Sequence, residues 1–245
     1  MKVALAALGF INEDPMHNRA VILRTMEQCA GRADLILFGE AFLQGFYAAT
    51  FDEHHDEAIA LSQDDAFLQP LRDAAKRLQV AVSFGFIEKD GDHFYSSQMT
   101  IGKDGQTLDL FRRVSPGWKE LHAGSRYREG ENFHTFPFMG KKLSVALCGD
   151  LWDENNVRKM RALQPDAVLW PVYTDFSAES WNTSLKHEYA VQAEKVCLCV
   201  LHVNAHCLDK QTEEDAAKGG CALFSRGSIA AELPAGSEGV LIAEL

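Results

Sequence analysis

The chain has no CxxC pair, no repeated or low-complexity segment, and no apolar run near the roughly 18 residues that a membrane-spanning helix requires. Six cysteines in 245 residues are too few for a disulfide scaffold, so the thiols are expected to be reduced. Zinc needs four convergent ligands, and the stretch CLCVLHVNAHC (197–207) has no second ligand cluster to complete a set. It reads instead as a strand carrying buried thiols, with His202 on the face opposite Cys197, Cys199 and Val203, and no metal is expected. Basic residues are the minority: 24 Lys and Arg against 35 Asp and Glu give a net charge of −11. Binding a phosphate backbone needs a surplus of cations on one face, so nucleic acid is disfavoured as a partner. The opening MKVALAALGFINEDP has one lysine, a short apolar stretch and no small-residue cleavage pattern. These absences lead us to expect a cytoplasmic protein with no membrane partner.

What is present is a chain with 47% apolar residues, enough to bury a full core, and of ordinary length for one domain over residues 1–245. Strand and helix patterns alternate. VALAAL (3–8) and ADLILFGE (33–40) read as buried strands, with amphipathic helices over 18–30 and 64–78. VAVSFGFIE, HFYSSQMTIG and LDLFRRV, joined by Asp-Gly turns, form an antiparallel meander. Further strands are expected at SVALC, DAVLWPV, CLCVLHVNA, GCALFS, SIAAEL and GVLIAEL, and helices over 155–163 and 180–195. Alternation combined with hairpins predicts an α/β layered fold on mixed sheets.

Two of the buried strands end in a reactive side chain: ADLILFGE in Glu40 and SVALC in Cys148. Open α/β sheets bind ligands beyond the carboxyl ends of their strands, which would bring both residues to one cleft. Taken singly, Cys148 reads as a small buried hydrophobe and Glu40 as a strand-terminal salt-bridge partner. Together they fit a nucleophile and the base that takes its proton, since cysteine attacks as the thiolate.

The order GEAFLQGF (39–46), FRRVSPGWKE (111–120), LCGDLWDE (147–154) and LWPV (169–172) resembles the nitrilase, or carbon–nitrogen hydrolase, superfamily. The likeness extends through EYAVQAEKVCLCVLHVNA and GGCALFSRGSIAAEL, covering nearly the whole chain. It implies a four-layer α-β-β-α sandwich and a Glu–Lys–Cys constellation that cleaves amides, nitriles or carbamoyl groups of small molecules without a cofactor. It also implies a homodimer or larger homo-oligomer. Carried over by position, Cys148 is the nucleophile, Glu40 the general base, the Gly149 N–H an oxyanion donor, and Glu120 a second carboxylate. Tyr173 and Trp181, with Asp175 and Phe176, stand where the family's substrate loop lies, and ordinary loop packing is the competing reading. His122, Arg126 and Tyr127 stand where they would read a substrate carboxylate or simply form an exposed loop.

The departure is at FRR, where Arg113 occupies the family's lysine position. Arginine keeps its charge but is planar, bulkier and does not deprotonate. Three readings stand at this stage: Arg113 replaces the lysine, Lys119 reaches in from the neighbouring loop, or the site is slow or silent. CGD favours an amidase over a nitrilase, whereas the Arg113–Glu120 spacing points the other way. The expected chemistry is thiolate attack, a Cys148 thioester and its hydrolysis. A silent binding or scaffolding subunit, and an acyltransferase on the same fold, are the alternatives.

Overall fold

Burial along the first strand, Lys2–Ala7 (β1), is complete from its second residue onward, as a strand covered on both faces requires. The chain then forms Gly9–Phe10 (β2), helix Pro15–Cys29 (α1), Leu35–Phe38 (β3), helices Glu53–Ile59 (α2) and Gln69–Leu78 (α3), and the meander Ala81–Asp90 (β4), His93–Ile101 (β5) and Thr107–Arg112 (β6). Thr135–Phe138 (β7) and Lys141–Val145 (β8) lead to a 3-10 turn at Cys148–Trp152, helix Glu154–Ala162 (α4) and Ala167–Val172 (β9). Ala178–Ser180 (α5) continues through a π turn, Trp181–Leu185, into Lys186–Glu194 (α6). The remaining strands are Cys199–Asn204 (β10), His206–Cys207 (β11), Cys221–Ser225 (β12), Ser228–Leu233 (β13) and Gly239–Glu244 (β14). This computed structural model describes residues 1–209 and 216–245.

The strands assemble into two six-stranded mixed sheets, β14-β1-β3-β4-β5-β6 and β13-β12-β10-β9-β8-β7. One core lies between them: Val3, Leu5, Leu35 and Leu37 meet Leu169, Leu201, Val203 and Cys221. The alternate residues Ala4, Ala6, Ile36 and Phe38 face outward onto Ile22 and Met26 of α1 and Leu71 and Ala75 of α3. On the second sheet Trp170 and His202 meet Tyr189 of α6. The result is the four-layer α-β-β-α sandwich. Each buried Leu, Ile or Phe contributes about 1.5–3 kcal/mol to holding the layers together.

The expected elements recur with shifted ends. Helix α1 begins three residues early, because Pro15 suits the first turn and the Asp14 side chain accepts from the His17 N–H at 2.9 Å. The expected helix at 64–78 divides into a 3-10 turn, Ala66–Leu68, and α3. The strand expected to end at Cys148 stops at Val145.

β1, β3 and β4 are mutually parallel, and β6, antiparallel to the intervening β5, runs in the same direction. β8, β9 and β10 are likewise parallel. The carboxyl ends of β3, β6, β8 and β9 therefore deliver, in turn, Glu40, Arg113, Cys148 and Tyr173.

Candidate active site

Glu40 is fully buried two residues beyond the end of β3, and its backbone N–H reaches across the sandwich to the Val172 carbonyl at 3.3 Å. Close backbone approach makes this possible. A Cβ on Gly39 would stand 2.9 Å from the Ala205 nitrogen, and one on Gly85 of β4 only 2.2 Å from the Ala41 nitrogen. Ala41, next to Glu40, and Cys148 both hold left-handed backbone, with φ of 50° and 43°. For residues with a Cβ this conformation costs of order 1 kcal/mol or more, and such strain collects at functional sites.

The Glu40 carboxylate is held asymmetrically. Its Oε1 accepts from Arg113 Nη1 at 2.9 Å and from Ser96 Oγ at 3.0 Å, while its Oε2 is buried with no partner among the described residues. Arg113, 4% exposed, donates from Nε to Ser115 Oγ at 2.9 Å. The buried Asp150 ties the loop after β6 to the cysteine turn: its Oδ1 accepts from the Val114 and Ser115 N–H groups and its Oδ2 from that of Leu147.

Cys148 is half-buried; its thiol donates to the Tyr173 carbonyl at 3.5 Å, and its own carbonyl accepts from the Trp170 indole N–H at 2.9 Å. Burial, then the Glu40 carboxylate, push the Cys148 thiol up to about 12, with Arg113 working in the opposite direction. At neutral pH the resting sulfur is therefore protonated and needs a base to release it. Burial pushes the Asp150 carboxyl up to about 6, opposed by its backbone hydrogen bonds and by Arg113. Burial also works against the Arg113 charge, but Glu40, Cys148 and Asp150 outweigh it and hold the guanidinium above its ordinary range.

Gly149 completes the turn with little room to spare, since a Cβ there would lie 3.0 Å from Arg113 Nη2 and 3.2 Å from Ser115 Oγ.

Other expected site residues lie elsewhere. The Lys119 ammonium pairs with Glu129 at 2.6 Å and donates to the Tyr127 carbonyl at 3.2 Å. Glu120 is exposed, because the loop turns its side chain outward beside Leu121, itself fully exposed. No described contact joins either residue to Glu40 or Cys148. Trp181 is buried with its ring stacked on His202 at 4.8 Å, in the helix–sheet core rather than beside the thiol. Tyr173 contributes its carbonyl to the site, and its ring stacks on Phe46 at 4.2 Å. Tyr127, far from being free to read a substrate, donates to buried Asp56 at 2.7 Å. Ser96 and Ser115 escaped the sequence reading, for a lone serine in a polar stretch carries no signal. Asp150 was visible in the CGD motif, though its three backbone bonds were not.

A half-buried thiol, a buried carboxylate and a buried guanidinium thus gather beyond the carboxyl ends of strands from two packed sheets. The sequence model described as carbon-nitrogen hydrolase matches residues 2–245, and the chain belongs to that family. An (R)-stereoselective amidase from Pseudomonas sp is 27% identical over 69% of this chain and 59% of its own length. An N-carbamoylputrescine amidase from Solanum lycopersicum is 28% identical over 69% of this chain and 57% of its own. An aliphatic nitrilase from Rhodococcus rhodochrous is 24% identical over 89% and 64%. The chain thus spans less than two thirds of the length of these relatives. Among solved structures, a mutant of the amidase from Nesterenkonia sp. AN1 with acrylamide added at its active site cysteine superposes with a TM-score of 0.78. That match has 19% identity and covers all of this chain and 93% of the other. A glutamine-dependent NAD+ synthetase from Acinetobacter baumannii gives 0.79 at 22% identity, covering 98% of this chain and 44% of that one. Among the described residues no helix is long and apolar enough to cross a membrane.

Proposed function

We propose that the chain is an amidase, one hydrolase unit over residues 1–245, that cleaves the C–N bond of a small non-peptide amide through a Cys148 thioester. The observation that carries this reading is the unpartnered Oε2 of buried Glu40, a carboxylate oxygen left without a proton donor next to a thiol that needs a base. In the first step the Cys148 proton passes to Glu40 as sulfur bonds to the carbonyl carbon. The charge gathering on the carbonyl oxygen is met by the Gly149 N–H and by Arg113. Glu40 returns the proton to the nitrogen, the C–N bond breaks, and ammonia or an amine leaves. Water, giving a proton to the same carboxylate, then bonds to the acyl carbon; the C–S bond breaks, the acid is released, and Glu40 returns the proton to the Cys148 sulfur. The (R)-stereoselective amidase and the N-carbamoylputrescine amidase among the relatives support a small amide as the substrate class.

Arg113 supplies the cation in this reading, since it is bonded to Glu40 while Lys119 is engaged by Glu129. The test is ammonia release from a panel of small amides, nitriles and N-carbamoyl amines, with Cys148→Ala as control. Release from amides that the control lacks supports the reading, whereas release from nitriles alone, or none above the control, overturns it. The elevated thiol favours one other reading, a silent binding protein. That reading predicts no acyl transfer to Cys148 from any ester or amide.

A further inference from the structure

An arginine at position 113 faces an orientation problem that a lysine does not. An ammonium offers three equivalent donors about one point, whereas a guanidinium is a flat fork whose unused edge must be turned to the right place. Here two of its three nitrogens are occupied: Nη1 by Glu40 Oε1 and Nε by Ser115 Oγ, each at 2.9 Å. Two anchors fix the plane, and the remaining Nη2 is left against Gly149, 3.0 Å from where a Cβ there would stand. Ser115 is itself fixed. Its N–H donates to Asp150 at 2.7 Å, and Asp150 also holds the Leu147 N–H one residue before the nucleophile. The hydroxyl therefore references the guanidinium to the turn that carries Cys148 and Gly149.

We propose that Ser115 is a positioning residue that aims Arg113 Nη2 at the oxyanion formed on acylation of Cys148, allowing arginine to do the work at this position. The proposal rests on the acyl-transfer reading of the site given above. Removing the hydroxyl leaves the guanidinium pivoting on the single Nη1 bond to Glu40. Stabilisation of the oxyanion then falls, while the thiol and its base stay in place.

The test compares two reactions at the same sulfur. Acylation by p-nitrophenyl acetate passes through an oxyanion; alkylation by iodoacetamide does not. Both are followed by mass spectrometry mapped to Cys148. Ser115→Ala is expected to slow acylation by about 10–100-fold, approaching the loss seen on deleting an oxyanion donor, and to leave alkylation within about twofold. Ser115→Thr, which keeps the hydroxyl, is expected to recover most of the acylation rate. Equal loss in both reactions, no loss in acylation, or failure of threonine to rescue overturns the proposal. If the unaltered chain acylates at Cys148 with the same serine dependence yet releases ammonia from no amide, the amidase reading fails and the positioning role stands. If it does not acylate at Cys148 at all, both fail.

Discussion

Replacing Glu40 by glutamine should move two activities of one sulfur in opposite directions. The Glu40 carboxylate is the second contributor, after burial, to the rise of the Cys148 thiol to about 12, and Arg113 is the principal group lowering it. Glu40→Gln removes the negative charge, keeps a polar group of the same size, and leaves Arg113 with one fewer anion to neutralise. A nearby like charge shifts a titration by about 1–3 units, so losing it should lower the thiol by about one to two. Burial keeps it from falling to its ordinary value. Each unit multiplies the thiolate fraction tenfold at a fixed pH below the pKa, so iodoacetamide should alkylate Cys148 about 10–100-fold faster at pH 7.5. Amide turnover should meanwhile fall by at least about 10²-fold, because no group remains to carry the proton from sulfur to the leaving nitrogen. The assay is alkylation rate against pH with the modified cysteine mapped, paired with ammonia release. Slower alkylation in the variant would refute the charge argument, and undiminished turnover would refute the base assignment.

Four further outcomes follow from particular contacts. Gly85→Ala forces a Cβ to within 2.2 Å of the Ala41 nitrogen, so the backbone carrying Glu40 must shift. Denaturant unfolding should record a loss of about 1–3 kcal/mol, together with a drop in kcat. Trp170→Phe leaves the Cys148 carbonyl without its indole donor and should cost about 1–3 kcal/mol, with turnover reduced alongside. Arg113→Met should cut acylation of Cys148 by about 10²-fold, whereas Lys119→Met, which breaks an ion pair with Glu129, should cost far less. His202 is fully buried among Trp170, Trp181, Tyr189 and Phe224, and burial lowers it to about 3. Because the unfolded chain takes up that proton near pH 6.5 and the folded one does not, stability should decline as pH falls from about 6.5 toward 3. The slope should approach about 1.4 kcal/mol per pH unit, and His202→Phe should remove that share of it in unfolding curves at pH 7 and pH 5.

An α/β layered fold on mixed sheets was legible in the sequence because its strands are short apolar runs and its helices keep their period, and the four-layer sandwich followed from the likeness to the family. Glu40 and Cys148 stood out as a candidate pair for the same reason, since each follows such a run. The boundaries were less so. Cys148 was expected to close a strand, but it opens a 3-10 turn with left-handed backbone, a conformation that no local pattern announces in a non-glycine residue. Glu120 and Lys119 lay at plausible spacings from Arg113, yet the loop between β6 and β7 turns one outward and pairs the other with Glu129. Trp181 stood in the expected substrate segment but serves as a wall of the cage around His202.

By itself the sequence singled out a thiol and a carboxylate, Cys148 and Glu40, each just after a buried apolar run, and left the cation open between Arg113 and Lys119, since hydrophobic patterning is a local property. Only the tertiary structure decided how they meet. The two oxygens of Glu40 differ because Arg113 and Ser96 both bind Oε1, and Arg113 rather than Lys119 lies beside Cys148 because Asp150 binds its loop to the cysteine turn. Those contacts join residues 35 to 73 positions apart in most cases, or depend on a hydroxyl whose partner is chosen by the packing of two sheets. Such information resides in the fold and in no short stretch of chain.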